Sequence, residues 1–264
     1  MGFGDEILGS GLARGAAARG KRVAFGDGQR IIWAPECIEI FRGNPNVAPP
    51  GSEGATDLEW IAHYPGKRLY NRASGNSWVW NYDFRPVPGE IFFDESERDI
   101  AAVVPPGFVL MEPNVPAHKT VAINKQWDPT RFQWVADRLC QDGHRVVQLT
   151  YEGSTHQLQD VETFPTQSIR IALAVLARAA LFVGHEGGMH HGAAALGVPA
   201  IVIFGGFIPP RVTGYDNHEN MAAGEPACGS WSPCEHCRRA LEAITAPQVY
   251  DAATRKMGSA RHLR

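Results

Sequence analysis

The stretch Val183-Gly184-His185-Glu186-Gly187-Gly188-Met189-His190-His191-Gly192-Ala193-Ala194-Ala195-Leu196-Gly197-Val198-Pro199 constrains the fold more than any other. It reads as a buried strand, a glycine turn and a helix of small residues, and a second apolar run, Ala200–Phe204, follows at once. A strand, helix and strand joined by such short turns calls for a parallel sheet with ligands at the carboxyl ends of its strands.

The same alternation extends upstream. Phe108–Met111 reads as a strand after the turn Val104-Pro105-Pro106-Gly107, and a helix starts near Pro129 with Phe132, Val135 and Leu139 on one face. Gly143, the strand Arg145–Leu149, the helix Ile169–Ala180 and the strand Leu181–Gly184 continue the series. Proline inside the start of a helix and glycine past its end are the expected punctuation.

The N-terminal part is less regular. Gly2-Phe3-Gly4-Asp5 feeds a helix over Glu6–Arg19, and Arg22–Phe25 and Ile31–Ala34 read as short strands. Residues 43–90 are rich in Pro, Gly, Asn and aromatics and carry no clear period. The Pro-Pro-Gly turn divides the chain into segments 1–105 and 106–264, and the basic tail beyond Ala252 reads as frayed.

At 264 residues the chain can bury one large core or two small ones. The formal net charge of −3 supplies no global basic field, so no stable nucleic-acid partner is expected. No apolar run approaches the roughly 18–20 residues that span a bilayer, and no signal pattern opens the chain, so a cytoplasmic location is expected.

Four stretches carry candidate chemistry. Gly187 and Gly188 let the backbone approach a ligand closely, and the N–H groups at the helix start that follows can hold a diphosphate. Lys125, in Asn124-Lys125-Gln126-Trp127-Asp128-Pro129, follows a strand and can reach phosphate oxygens, although an isolated loop lysine is more often merely solvated. Asp5 sits where a helix begins, either as a cap or as a general base taking the proton of an acceptor hydroxyl.

Metal readings compete at the glycine turn and at the fourth stretch. His185, Glu186, His190 and His191 offer zinc-type ligands, but His185 and His190 are five apart with two glycines between them, unlike the His-Glu-x-x-His of a zinc-protease helix. Cys228-x5-Cys234-x2-Cys237 with His236 holds one C-x-x-C without the second pair of a zinc ribbon. The expectation at both places is no metal, with reduced thiols in the second.

Taken in order, these stretches resemble glycosyltransferase family 9, the lipopolysaccharide heptosyltransferases. The resemblance rests on Gly2-Phe3-Gly4-Asp5, Phe41-Arg42-Gly43-Asn44-Pro45-Asn46-Val47, Asn124-Lys125-Gln126-Trp127 and Glu186 through Gly197. It extends to Phe204-Gly205-Gly206 and to the Cys-rich stretch leading into Ile244-Thr245-Ala246-Pro247-Gln248-Val249.

The resemblance implies an α/β protein of the GT-B type, two Rossmann-like domains facing across a cleft, with the N-terminal, acceptor-side domain (1–105) shortened and 106–264 binding the donor. It implies an inverting, metal-independent transfer of a heptose or related sugar from a nucleotide-diphosphate donor, ADP-linked, to a hydroxyl acceptor. The acceptor would be a lipopolysaccharide or other glycan precursor, and a lipid-linked one would bring peripheral membrane contact. No cofactor is implied beyond the donor substrate.

By the same resemblance Asp5 is the base and Lys125 a phosphate ligand. Gly187, Gly188 and Met189 hold the diphosphate, and His191 closes the motif. Glu186 replaces the family's sugar-contacting aspartate, and Glu152 is the match for its ribose-binding acid. The shortened N-terminal half leaves open a protein that binds nucleotide sugars without turnover.

Overall fold

The computed structural model describes residues 1–115, 120–223 and 226–261, the side chains of 120, 121 and 259–261 excepted. The N-terminal part runs α1 (Phe3–Ala17), β1 (Arg22–Phe25), α2 (Pro35–Ile40), β2 (Leu58–Ile61), β3 (Asn71–Ser74), β4 (Ser77–Trp80) and α3 (Glu95–Ala102). After a connection over 103–108 come β5 (Val109–Glu112), a 3-10 turn (Thr120–Lys125), α4 (Pro129–Gln141), β6 (Val146–Thr150), β7 (Glu162–Pro165) and α5 (Ile169–Leu176). β8 (Leu181–His185), α6 (Gly188–Ala195), β9 (Ala200–Ile203), α7 (Pro210–Thr213), β10 (His218–Met221), α8 (Glu235–Glu242) and α9 (Ala246–Arg261) complete the chain.

Six strands form one parallel sheet in the order β10-β9-β8-β5-β6-β7. Side chains alternate across it as the strand period demands. Val109, Met111, Leu181, Val183, Ile201 and Ile203 face α4 and α9 through Phe132, Leu139, Val249 and Ala252. Leu110, Phe182, Val202 and Phe204 face the opposite way, into the cluster that holds Leu173 of α5 and Ala193 of α6. Covering both faces explains the unbroken apolar strands.

The N-terminal part holds a parallel pair, β1-β2, and a β3-β4 hairpin. Its core is not separate: Ile7, Ala16, Phe25 and Ile40 belong to the same apolar cluster as Leu173, Ala193 and Phe204. A buried ion network adds to this. Arg170 on α5, 1% exposed, donates to Glu97 of α3 and to the carbonyl oxygens of Glu39 and Phe92, and Arg42 also pairs with Glu97.

Two sequence expectations need correction. Ile31–Ala34 is not a strand: Ile31 makes a single bridge to Gly26, and β1 pairs instead with Leu58–Ile61. The chain beyond Ala252 is helical to Arg261, because Val249, Ala252 and Ala253 bury one face of α9 on the sheet. Among the described residues, no helix is long and apolar enough to cross a membrane.

Candidate active site

All six parallel strands end on one edge, and the elements that follow β5 and β8 carry the candidate residues there. Lys125 closes the 3-10 turn after β5, and Glu186-Gly187 joins β8 to α6. Their side chains meet: the Lys125 ammonium donates to Glu186 Oε2. The Glu186 side chain is only 4% exposed. Burial pushes its carboxyl up, but Lys125 and His191 outweigh that and hold it well below the usual carboxylate range.

His191 links this pair to the sheet edge. Its Nε2 lies 3.7 Å from Glu186 Oε1, and its Nδ1 lies 2.8 Å from the Tyr215 hydroxyl. His190, His191, Tyr215 and His218 form a cluster of ring contacts behind α6. Burial drives His190 far down and His218 to about 4, so both stay neutral near pH 7.

His185 has a structural role. Its Nε2 accepts the Trp127 backbone N–H at 2.9 Å, and burial lowers it to about 3. That bond ties β8 to the start of α4, on whose side Lys125 stands. The residue is thereby committed to packing, away from Glu186, and the His185-Glu186-His190 metal arrangement does not form. Glu186, His190 and His191 do lie within ligand distance of one another, but the Glu186 charge is already met by Lys125.

The N-terminus of α1 meets the N-terminus of α6. A side chain on Gly4 would put its Cβ 3.0 Å from His191 Cδ2 and 3.2 Å from the Gly188 nitrogen, so anything larger than glycine would have to push these neighbours back by a few tenths of an ångström. The first N–H groups of α6, starting at Gly188, have no acceptor within the helix, and this end carries the positive pole of the helix dipole. Gly187, Gly188 and Met189 are its partly exposed residues.

Asp5, one residue on, serves two purposes at once. Oδ2 accepts the Gly2 N–H at 2.7 Å, which is a capping contact. Oδ1 accepts the Tyr70 hydroxyl and lies 3.1 Å from Arg68 Nε. Burial raises the carboxyl, yet Arg68, Tyr70 and Gly2 together bring it below its ordinary value, so Asp5 is ionised at neutral pH.

The structure therefore brings together Asp5, Lys125, Glu186, Gly187, Gly188, Met189 and His191. It does not bring Glu152 to them: that residue is exposed in the turn after β6, two strands from β8. Sequence reading missed Arg68 and Tyr70, which lie in the aperiodic stretch before β3, and Glu112 at the end of β5. Burial raises Glu112 to about 7, partly offset by the Asn114 N–H that its Oε1 accepts at 2.8 Å.

Two cavities flank the cluster. One, of about 690 Å³, opens beside the Lys125 loop between Asn124, Gln126, Arg131 and the start of α8. The other, of about 570 Å³, lies between Arg85, Arg211 and Tyr215. Neither lining includes Asp5 or the glycine turn.

An N-terminal α/β part whose first helix end abuts the helix after β8, over a six-stranded parallel sheet, fits the architecture of the GT-B glycosyltransferases. Residues 79–240 match the sequence profile of glycosyltransferase family 9 (heptosyltransferase), more than half of the chain, and the protein belongs to that family.

Two solved structures agree on the fold. A family 9 glycosyltransferase from Veillonella parvula superposes with a TM-score of 0.66 at 13% identity, over 98% of this chain and 95% of that one. The iron-containing dodecameric glycosyltransferase TibC from enterotoxigenic E. coli gives 0.65 at 15% identity, over 98% of this chain and 74% of its own. The ADP-heptose lps heptosyltransferase II of E. coli gives 0.49 at 16% identity over 69% of this chain, which spans 55% of that protein's length. A search of curated proteins finds no match.

Proposed function

We propose that the protein is an inverting glycosyltransferase that moves a heptose or related sugar from an ADP-linked donor to a hydroxyl of a glycan acceptor, such as a lipopolysaccharide precursor. The observation that carries this reading is the meeting of the Asp5 helix end with the Gly187-Gly188 helix end, at the contact of Gly4 with Gly188. It supports the reading in which Asp5 serves the acceptor while the backbone at the start of α6 holds the diphosphate.

In the proposed reaction the acceptor oxygen attacks the anomeric carbon while its proton passes to Asp5. The bond from that carbon to the diphosphate breaks, and the nucleoside diphosphate leaves with the added negative charge. Lys125 and the α6 N-terminus stabilise that charge, so the chemistry asks for no divalent cation at the phosphates. Glu186 and His191 orient the sugar, and Glu152, in the turn after β6, is the candidate for the ribose hydroxyls.

The donor choice draws on TibC, which has been solved in complex with ADP-D-beta-D-heptose. Asp5→Ala is the test: ADP release from ADP-heptose with a lipopolysaccharide-core acceptor is expected to fall by about two to four orders of magnitude, while donor affinity stays near that of the wild type. A variant that keeps near-normal turnover reduces Asp5 to a helix cap.

One observation favours a second reading, a nucleotide-sugar-binding protein without turnover. Asp5 is engaged by Arg68, Tyr70 and Gly2, and Lys125 by Glu186, so both candidate groups already have partners. That reading expects donor binding with no sugar transfer by the wild-type chain.

A further inference from the structure

The segment from Cys228 to Cys237 folds into a knuckle that the proposed reaction does not use. Cys228 is fixed to the loop after β9, its N–H donating to the Gly206 carbonyl oxygen at 3.0 Å. Gly229 then turns the chain with φ +62°, where a Cβ would fall 2.2 Å from the Trp78 carbonyl oxygen. Cys234 is the N-cap of α8, and Cys237, fully buried, lies in its first turn.

This path converges four ligand atoms. The sulfur of Cys228 lies 3.6 Å from that of Cys234 and 3.2 Å from that of Cys237. A ring nitrogen of His236 joins them, all four atoms lying within 4.8 Å of one another. Zinc bound tetrahedrally at about 2.3 Å from each sulfur separates its thiolates by about 3.8 Å, close to what the thiols already show.

Backbone hydrogen bonds point the same way. The Cys237 N–H is directed at Cys234 Sγ and the Ser230 N–H at Cys228 Sγ, each at 3.5 Å. Such donors favour thiolates over thiols, as the outer partners of metal ligands do. Three sulfurs cannot be used up by one disulfide, and a purely apolar role does not account for N–H groups aimed at two of them.

We propose that Cys228, Cys234, Cys237 and His236 form a closed, tetrahedral structural site for one thiophilic divalent cation, zinc or ferrous iron. The missing second C-x-x-C, which argued against a metal in the sequence, is replaced by Cys228 and by the histidine inside the C-x-x-C itself. Soft thiolate ligands and four-coordinate closure select this class of ion over magnesium or calcium.

The site stands where two parts of the molecule meet. Asn124, next to Lys125, donates to the carbonyl oxygens of Ser230 and Ser232 at 3.0 and 2.8 Å and accepts the Cys234 N–H at 3.0 Å. On the other side the Trp78 N–H donates to the Gly229 carbonyl oxygen, and the Trp231 N–H to that of Asn76. A metal in the knuckle would therefore brace both the lysine loop and the β3-β4 hairpin.

The test needs no activity. Elemental analysis of the chain purified under reducing conditions without chelator is expected to give about one equivalent of zinc or iron, and the element found names the ion. Cobalt(II) added to chelator-stripped protein is expected to give thiolate charge-transfer and tetrahedral ligand-field bands. Cys234→Ser and Cys237→Ser should abolish both, and His236→Ala should shift the cobalt spectrum; if the serine variants do not fold, the wild-type cobalt spectrum still decides. Protein that is metal-free as purified and yields no thiolate bands with cobalt overturns the proposal, and so does a Cys228–Cys237 disulfide that persists under reducing conditions.

Discussion

The two parts of the molecule owe their order to different things. In the C-terminal part, six parallel strands satisfy one another's backbone and alternate their side chains between two covered faces. The N-terminal part has only a two-stranded pair and a hairpin of regular sheet, and much of its order is supplied from outside. Trp80 packs on Phe207, Trp78 on Trp231, and Glu97 on the buried Arg170. The N-terminal part is ordered because the C-terminal part completes its core.

The strongest way to break this contrast is Arg170→Ala. It removes the guanidinium that satisfies Glu97 and two carbonyl oxygens, leaving a buried charge with only Arg42, and is expected to cost about 3–5 kcal/mol of stability in chemical denaturation. A cost spread evenly over the chain would show in hydrogen exchange as uniform deprotection. Deprotection of α2, α3 and the hairpin is expected first, with the six-stranded sheet still protected.

Next in size is Lys125→Ala, which removes the proposed phosphate contact and is expected to weaken ADP binding by about ten- to a hundredfold, or 1.5–3 kcal/mol. Calorimetric titration reads it directly, with circular dichroism confirming that the buried Glu186 left behind has not unfolded the chain. Gly4→Ala follows: its methyl presses on His191 and the Gly188 backbone, and overpacking of this kind costs about 1–3 kcal/mol. It should lower the melting temperature and transfer rate together, since it pushes the two helix ends apart.

The smallest effect is a pH dependence. His63, His185, His190 and His218 are held uncharged by burial, below their ordinary 6.5. As pH falls through 6.5 the unfolded chain takes up these protons and the native one does not, so acid favours unfolding. Glu6 and Glu112, raised to about 7, act in the opposite direction, because their native protons are released on unfolding above pH 4.5. Four imidazoles outweigh two carboxyls, and the melting temperature should fall as pH is lowered from 6.5 toward about 5. Replacing His218 with Asn should flatten that slope.

What the sequence made legible follows the same division. The strand-turn-helix around Gly187, the proline-led helix at Pro129 and the apolar runs of β5, β6, β8 and β9 carry their periods locally, and each was recovered to within a few residues. β2 was not, because Leu58–Ile61 is half-buried on all four positions and shows no alternation. Nor were β7 and β10, edge strands whose side chains carry little apolar signal.

The site divides likewise. Lys125 and the glycine turn sit at ends of strands that the pattern locates, so their meeting could be anticipated. Arg68 and Tyr70 reach Asp5 from a loop whose path is set by Trp78 and Trp80, and nothing in their local sequence announces it. Glu152 stands apart from the cluster for the converse reason: position after a strand places a residue on the right edge, but strand order decides how far along that edge it lies.

Calorimetric titration of the intact chain with ADP, comparing wild type, Lys125→Ala and Asp5→Ala, tests the proposed donor site directly. One ADP is expected to bind per chain, weakened by Lys125→Ala and unaffected by Asp5→Ala. Absence of ADP binding, or a Lys125→Ala variant that binds as tightly as wild type, would contradict it.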